Sequence, residues 1–220
     1  TYKGKRFRIK DDRIILSDIL FASTYMRRQD RVFLMDGDAL IIPQKRLMGI
    51  LDKIREHLPW VKRVGAYANA KSIKMKSPEE LVQLRENGLG ILYLGVETGD
   101  EDILKEIRKG TSAENLIRMG RKVKEAGIKL SVTVLLGIAG RGRSLRHARA
   151  TGELLSAMDP NYVGALTVML IPGTPLYEDF KSGEFVLPEE KELLVELRTT
   201  PLGEDASVPL AAVVTSGGVS

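Results

Sequence analysis

Cysteine is missing from all 220 residues. Disulfides, thiolate metal sites and cysteine nucleophiles are therefore excluded within this sequence. Histidine is nearly missing too: His57 and His147 are the only two. They stand far apart with no thiolate companions and outside any His-Glu-x-x-His run, so neither a zinc ligand set nor a metalloprotease helix is present. Aromatic residues make up 5%, too few to suggest a surface on which bases stack. No apolar run approaches the roughly 18 residues that read as a transmembrane helix. The first residues, Thr1-Tyr2-Lys3-Gly4-Lys5-Arg6-Phe7-Arg8, lack the apolar centre of a signal peptide. The expectation is a cytoplasmic protein without a membrane partner. A Gly-x-Ser-x-Gly nucleophile elbow is also absent.

What is there suits one domain with a sizeable core: 43% hydrophobic residues, 29% charged residues and a net charge of +5. A mildly basic balance does not by itself imply nucleic acid. Five short apolar runs read as strands, at 31–35, 64–68, 91–96, 130–136 and 163–171. They are runs rather than clean alternations, as expected when both faces of a sheet are covered. Helical patterns separate them, at 14–28, 44–57 and 145–158 among others. Ser77-Pro78-Glu79-Glu80 supplies a cap, a first-turn proline and a capping-box glutamate, and Gly88 stops that helix. Thr111-Ser112-Ala113-Glu114 reads as a second capping box, opening a helix that ends at Gly127. The alternation of helix and strand, repeating about every 30–40 residues, points to an α/β fold with mainly parallel strands, either a barrel or an open sheet. A helix precedes the first strand and the first residue is Thr1, so a piece of a longer protein is expected. Residues 1–198 read as the folded domain and 199–220 as a loose tail.

In either parallel architecture ligands sit at the carboxyl ends of the strands. Those ends read Asp36-Gly37-Asp38, Tyr67-Ala68-Asn69, Glu97-Thr98-Gly99, Gly137-Ile138-Ala139-Gly140 and Pro172-Gly173-Thr174-Pro175. They are small and polar, which equally describes ordinary turns. The glycine-rich stretch from Gly137 to Gly142 is neither a G-x-G-x-x-G fingerprint nor a P-loop. Its glycines suit a tight turn or a close backbone approach to a ligand. His57 suits a helix C-terminus, and His147, inside the basic run 141–149, is expected to be solvated. Lys71, Lys74 and Lys76, with Lys3, Lys5, Arg6 and Arg8, read as solubilising surface, with an anionic partner as the alternative.

The strand ends also resemble a known family. Gly95-Val96-Glu97-Thr98-Gly99-Asp100, then Leu104 and Arg108-Lys109-Gly110-Thr111, resemble the fourth-strand motif of radical SAM enzymes. The likeness is to the branch of elongator-protein-3-like proteins, methylthiotransferases and oxygen-independent coproporphyrinogen oxidase. Asp36-Gly37-Asp38 resembles the second-strand motif, Gly137-Ile138-Ala139-Gly140 the fifth-strand motif near adenine, and Ile171-Pro172-Gly173-Thr174-Pro175-Leu176 the sixth-strand segment. The set runs from about Arg31 to Gly183 in the family order.

The resemblance implies a partial (β/α)6 barrel whose first strand and Cys-x3-Cys-x2-Cys cluster loop precede this sequence, with Tyr2-Lys3-Gly4-Lys5-Arg6-Phe7 just after that loop. It implies a [4Fe-4S] cluster in the parent protein, S-adenosylmethionine as cofactor, and a 5′-deoxyadenosyl radical that abstracts hydrogen from an unknown substrate. Thiolates are the ligands such clusters take, so the fragment alone is expected to be inactive. Carried over by position, Gly37 and Asp38 meet the ammonium of S-adenosylmethionine, Asn69 the ribose or carboxylate, and Glu97 the ribose hydroxyls or the ammonium. Lys109 meets the ligand carboxylate, where relatives have arginine, with Arg108 as the neighbouring candidate. Gly137 and Ile138 lie near adenine. Two other readings stand beside this one: a non-catalytic barrel relative binding a nucleotide-like ligand or RNA, and an unrelated enzyme using Asp36, Asp38 and Glu97 around magnesium or as acid–base groups.

Overall fold

The computed structural model describes residues 8–200 and the backbone of 210–213. The basic and aromatic residues at positions 2–7 therefore lie outside the described residues. The chain divides into two compact units, 1–92 with 126–128, and 93–125 with 129–220. Strand β3, Leu89–Glu97, passes from the first into the second.

The first unit opens with helix α1, Asp12–Tyr25, capped by the Asp11 carboxylate, which accepts from the Arg13 N–H. Strand β1, Arg31–Asp38, follows, then a 3-10 turn at Ala39–Ile41 and helix α2, Gln44–His57. Leu47, Ile50, Leu51 and Ile54 recur at helical spacing and are the buried stripe of α2. Strand β2, Arg63–Ala68, pairs parallel with β1. Helix α3, Ala70–Met75, and helix α4, Pro78–Glu86, complete the unit. The expected box forms at α4: the Ser77 hydroxyl accepts from the Glu80 N–H, and the Glu80 carboxylate accepts from the Ser77 N–H. Lys76, expected on the surface, is instead buried, and its ammonium donates to the Ile42 carbonyl at 2.7 Å. Burial pushes its pKa down, against the pull of Glu80.

The second unit holds helix α5, Glu101–Glu106, helix α6, Ala113–Glu125, strand β4, Lys129–Leu136, helix α7, Ser144–Met158, strand β5, Tyr162–Thr167, helix α8, Pro175–Ser182, helix α9, Glu190–Thr199, and strand β6, Leu210–Val213. Strand β4 pairs parallel with β5, and β5 parallel with β6. Buried and half-buried residues alternate along β4 after its exposed first residue, consistent with cover on both faces.

Two readings are corrected here. The cap of α6 is Ser112, whose hydroxyl accepts from the Asn115 N–H at 3.2 Å, rather than a box closed by Glu114. The last predicted strand stops at Thr167; Val168 still donates its N–H to the Leu136 carbonyl of β4, and beyond it Met169 and Ile171 are exposed. The expected loose tail holds the last residue of α9 and the whole of β6, while 201–209 and 214–220 lie outside the described residues.

Candidate cofactor site

In the first unit the Asp36-Gly37-Asp38 motif is a β-bulge. The β1–β2 register runs regularly to Leu34↔Ala66 and then resumes at Asp38↔Tyr67. The extra residues bulge because Asp36 and Gly37 both adopt positive φ, 68° and 123°. A Cβ on Gly37 would meet nothing within 4 Å; glycine is needed there for its backbone freedom, not for space. The bulge delivers Asp38, whose Oδ1 accepts from the Leu40 N–H at 3.0 Å and Oδ2 from the Asn69 N–H at 3.1 Å. Burial raises the Asp38 pKa, with the Ser72 hydroxyl and these backbone donors pulling against it. Asn69 in turn caps α3, its side-chain oxygen accepting from the Ser72 N–H at 2.9 Å. That leaves the Asn69 amide NH2 for a ligand. Gly37 and Asp38 line a cavity of about 420 Å³ within this unit, together with Ile19, Phe33 and Ile54.

In the second unit the turn after β3 is built around Glu97. Its φ is 65°, left-handed for a residue with a long side chain, a conformation that costs free energy and persists only when its surroundings enforce it. The enforcing groups follow in sequence. Thr98 is fully buried, and its hydroxyl accepts from the Asp100 N–H at 2.9 Å. The Gly99 N–H donates to the Thr151 hydroxyl of α7 at 3.0 Å. A Cβ on Gly99 would lie 2.2 Å from the Ala150 carbonyl oxygen, so glycine is required where the turn meets α7. Asp100 caps α5, accepting from the N–H groups of Asp102 and Ile103. It also takes a bidentate ion pair from Arg146 of α7, at 2.7 and 2.9 Å. Burial raises the Asp100 pKa, but the Arg146 guanidinium and the two N–H donors outweigh it and hold the carboxyl below its ordinary range.

Helix α5 ends so as to aim Lys109 back at this turn. Arg108 takes φ 53°. The Lys109 N–H donates to the Leu104 carbonyl and the Arg108 N–H to that of Lys105, at 2.9 and 3.0 Å. This is a Schellman closure with arginine where glycine is usual. The Lys109 ammonium then donates to Glu97 Oε1 at 2.9 Å, both side chains about one-fifth exposed. The pair lies over Gly95: a Cβ there would come within 2.5 Å of Glu97 Oε1 and 3.3 Å of Lys109 Nζ. Glu97 Oε2 remains as an acceptor.

Gly137 and Ile138 follow β4. Gly137 adopts φ 80°, and its N–H is committed to the carboxylate of Glu196, 2.8 Å away. Ile138 is buried with Ile103, Ala139 and Val168. The solvated histidine expected at 147 is corrected: His147 is 1% exposed, and its Nδ1 stands 3.1 Å from Glu196 Oε1. Glu196 is the buried group that sequence reasoning misses, since nothing near it in the chain announces a partner 59 residues away. The basic run 141–149 is also largely neutralised. Arg141 pairs with Glu189 and Glu192, Arg143 with Glu106, and Arg146 with Asp100 and Asp102. Among the described residues no three His, Asp or Glu side chains gather to hold a metal ion, and no helix is long and apolar enough to cross a membrane.

Against known proteins, a family model described as Radical SAM superfamily matches residues 2–155. The chain is 30% identical over 120 residues to a tRNA uridine(34) acetyltransferase of Methanocaldococcus infernus, covering 54% of this chain and 22% of that protein. It is 21% identical over 162 residues to the heme chaperone HemW of Bacillus subtilis, covering 73% of this chain and 42% of that one. Among solved structures, an N-terminally deleted Elp3 of M. infernus superposes with a TM-score of 0.65 at 19% identity, over 90% of this chain and 51% of that one. Coproporphyrinogen III oxidase (HemN) of Escherichia coli, a radical SAM enzyme, superposes with a TM-score of 0.62 at 12% identity, over 86% and 44%. The chain thus spans from under a quarter to about half the length of these proteins. Its fold is theirs: α/β with parallel strands, of the TIM-barrel-like kind.

Proposed function

The chain belongs to the radical SAM superfamily, and from that premise we propose that its strand-end side chains bind S-adenosylmethionine for a radical enzyme of unknown substrate. Enzymes of this family use that cofactor with a [4Fe-4S] cluster. Together, when bound, they would supply a 5′-deoxyadenosyl radical for hydrogen abstraction. The donor set of these 220 residues does not fit the cluster, because it contains no cysteine.

The residues do fit the nucleoside and amino-acid parts of the cofactor. The observation that carries this reading is Glu97, held in a left-handed turn and paired with Lys109 over Gly95. A carboxylate maintained in a costly conformation at a strand end suits ligand binding better than fold support. Its free oxygen accepts from ribose hydroxyls or from the ammonium. Lys109 offers a point charge to the carboxylate, without the planar fork of arginine. In the first unit, taken by itself, Asp38 on its bulge beside Gly37 is suited to accept from an ammonium, and Asn69 to donate through its amide. Gly137 supplies the backbone turn beside which adenine would lie, with Ile138 packed into the core behind it.

Calorimetric titration of the chain with S-adenosylmethionine is the test. Glu97→Ala removes a charged hydrogen-bonding partner and should weaken binding about tenfold or more; equal affinity in the two proteins would refute the reading. An RNA-binding relative is the rival, suggested by the tRNA enzyme among the similar proteins. It predicts tight, salt-sensitive tRNA binding without affinity for S-adenosylmethionine.

A further inference from the structure

The connection from β4 to α7, residues 137–143, is held from outside itself. Its Arg141 N–H donates to the Val186 carbonyl at 3.0 Å, and the Arg141 guanidinium reaches Glu189 and Glu192. Gly140 is covered by the Phe185 ring and Gly137 by Leu193. At the centre stands Glu196 of α9, fully buried. Its carboxylate accepts from the Gly137 N–H at 2.8 Å and from the Ser144 hydroxyl, and faces His147 Nδ1 at 3.1 Å. One side chain therefore gathers both ends of the connection. His147 Nε2 has no partner among the described residues, and the acceptor-only carboxylate places the ring hydrogen on Nδ1. The residues that hold the connection from outside, from Phe185 to Glu196, lie beyond 2–155, the stretch that matches the family.

We infer that Glu196 is a positioning residue for cofactor binding: from α9 it fixes the backbone of Gly137, and so sets where the end of β4 stands against adenine. This role rests on the reading of the preceding section. A carboxylate is suited to it because it is acceptor-only and takes several donors at once. An amide of the same size offers one acceptor oxygen and turns an NH2 toward the remaining donors.

The test uses the whole chain with S-adenosylmethionine as the probe. In Glu196→Gln the Gly137 amide should exchange with solvent faster, the ¹⁵N shifts of His147 should depart from the Nδ1–H pattern, and Kd should rise about tenfold. Ser144→Ala, which removes one donor and leaves the carboxylate, should raise Kd about threefold and covers the case in which Glu196→Gln does not fold. Val123→Ala, a truncation of a buried α6 residue, should lower the melting temperature and leave Kd unchanged. If Val123→Ala weakens binding as much, the effect is global stability and the inference falls. If exchange at Gly137 accelerates while Kd holds, the positioning role falls and the ligand reading stands. If the unaltered chain binds no S-adenosylmethionine, the ligand reading itself falls and takes this role with it.

Discussion

Gly99 and Asp100 carry opposite kinds of constraint within one turn. At Gly99 the constraint is space. Placing a methyl group 2.2 Å from a carbonyl oxygen forces the turn away from α7, and Gly99→Ala should cost about 3 kcal/mol, near the upper end for overpacking, measured by urea unfolding. At Asp100 the constraint is charge. Asp100→Asn keeps part of the cap but loses the bidentate partner of Arg146. Because the Arg146 side chain is about half exposed, the loss should be about 2 kcal/mol at pH 7 rather than that of a fully buried pair. The Asp100 pKa is lower folded than unfolded, so its contribution is complete above the unfolded value of 3.8 and vanishes as pH falls through the depressed folded value. Unfolding midpoints of the two proteins should therefore converge below about pH 3.8. For Asp38 the sign reverses. Its folded pKa is raised, so its contribution weakens as pH rises from 3.8 toward that folded value. Sequence alone marked Glu97 and Asp38 through their places at strand ends. It did not reveal that Asp38 caps a turn or that Gly137 spends its N–H on Glu196.

Among the elements, the legible ones have local causes. Helix α2 was readable over its full length because apolar residues recur at helical spacing, and α4 because its cap, proline and box glutamate are neighbours in sequence. Strand β5 was overextended because 168–171 are as apolar as a strand, while departure from the sheet leaves no mark in hydrophobicity. Strand β6, four residues long, is too short to give a periodicity. His147 sits among arginines in sequence, and its buried partner Glu196 stands 49 residues on. The end of α5 offers a test at this scale. Arg108 occupies the left-handed position that glycine fills at most such closures. Arg108→Gly should therefore raise stability by about 0.5–1 kcal/mol, without changing affinity for S-adenosylmethionine if Lys109 rather than Arg108 serves the ligand.

For the whole molecule, removing residues 201–220 takes away β6 and bares the edge of β5 along 163–166. Edges of this kind template association, so the truncated chain should aggregate at concentrations where the full chain stays monodisperse, as light scattering would report. Saturation with S-adenosylmethionine should act oppositely, raising the unfolding free energy by about 2.7 kcal/mol at a hundredfold excess over Kd. The Glu97–Lys109 pair also sets the ionic character of that event. On the proposed reading, the zwitterionic amino-acid end of the ligand would meet an existing ion pair, its carboxylate approaching Lys109 and its ammonium or a ribose hydroxyl approaching the second oxygen of Glu97. Few mobile counterions are displaced, in contrast to docking on a polyphosphate, where each neutralised phosphate steepens the salt dependence. The affinity should thus be nearly flat from low to high ionic strength, a thermodynamic signature of an ion exchanger already loaded with its own ion.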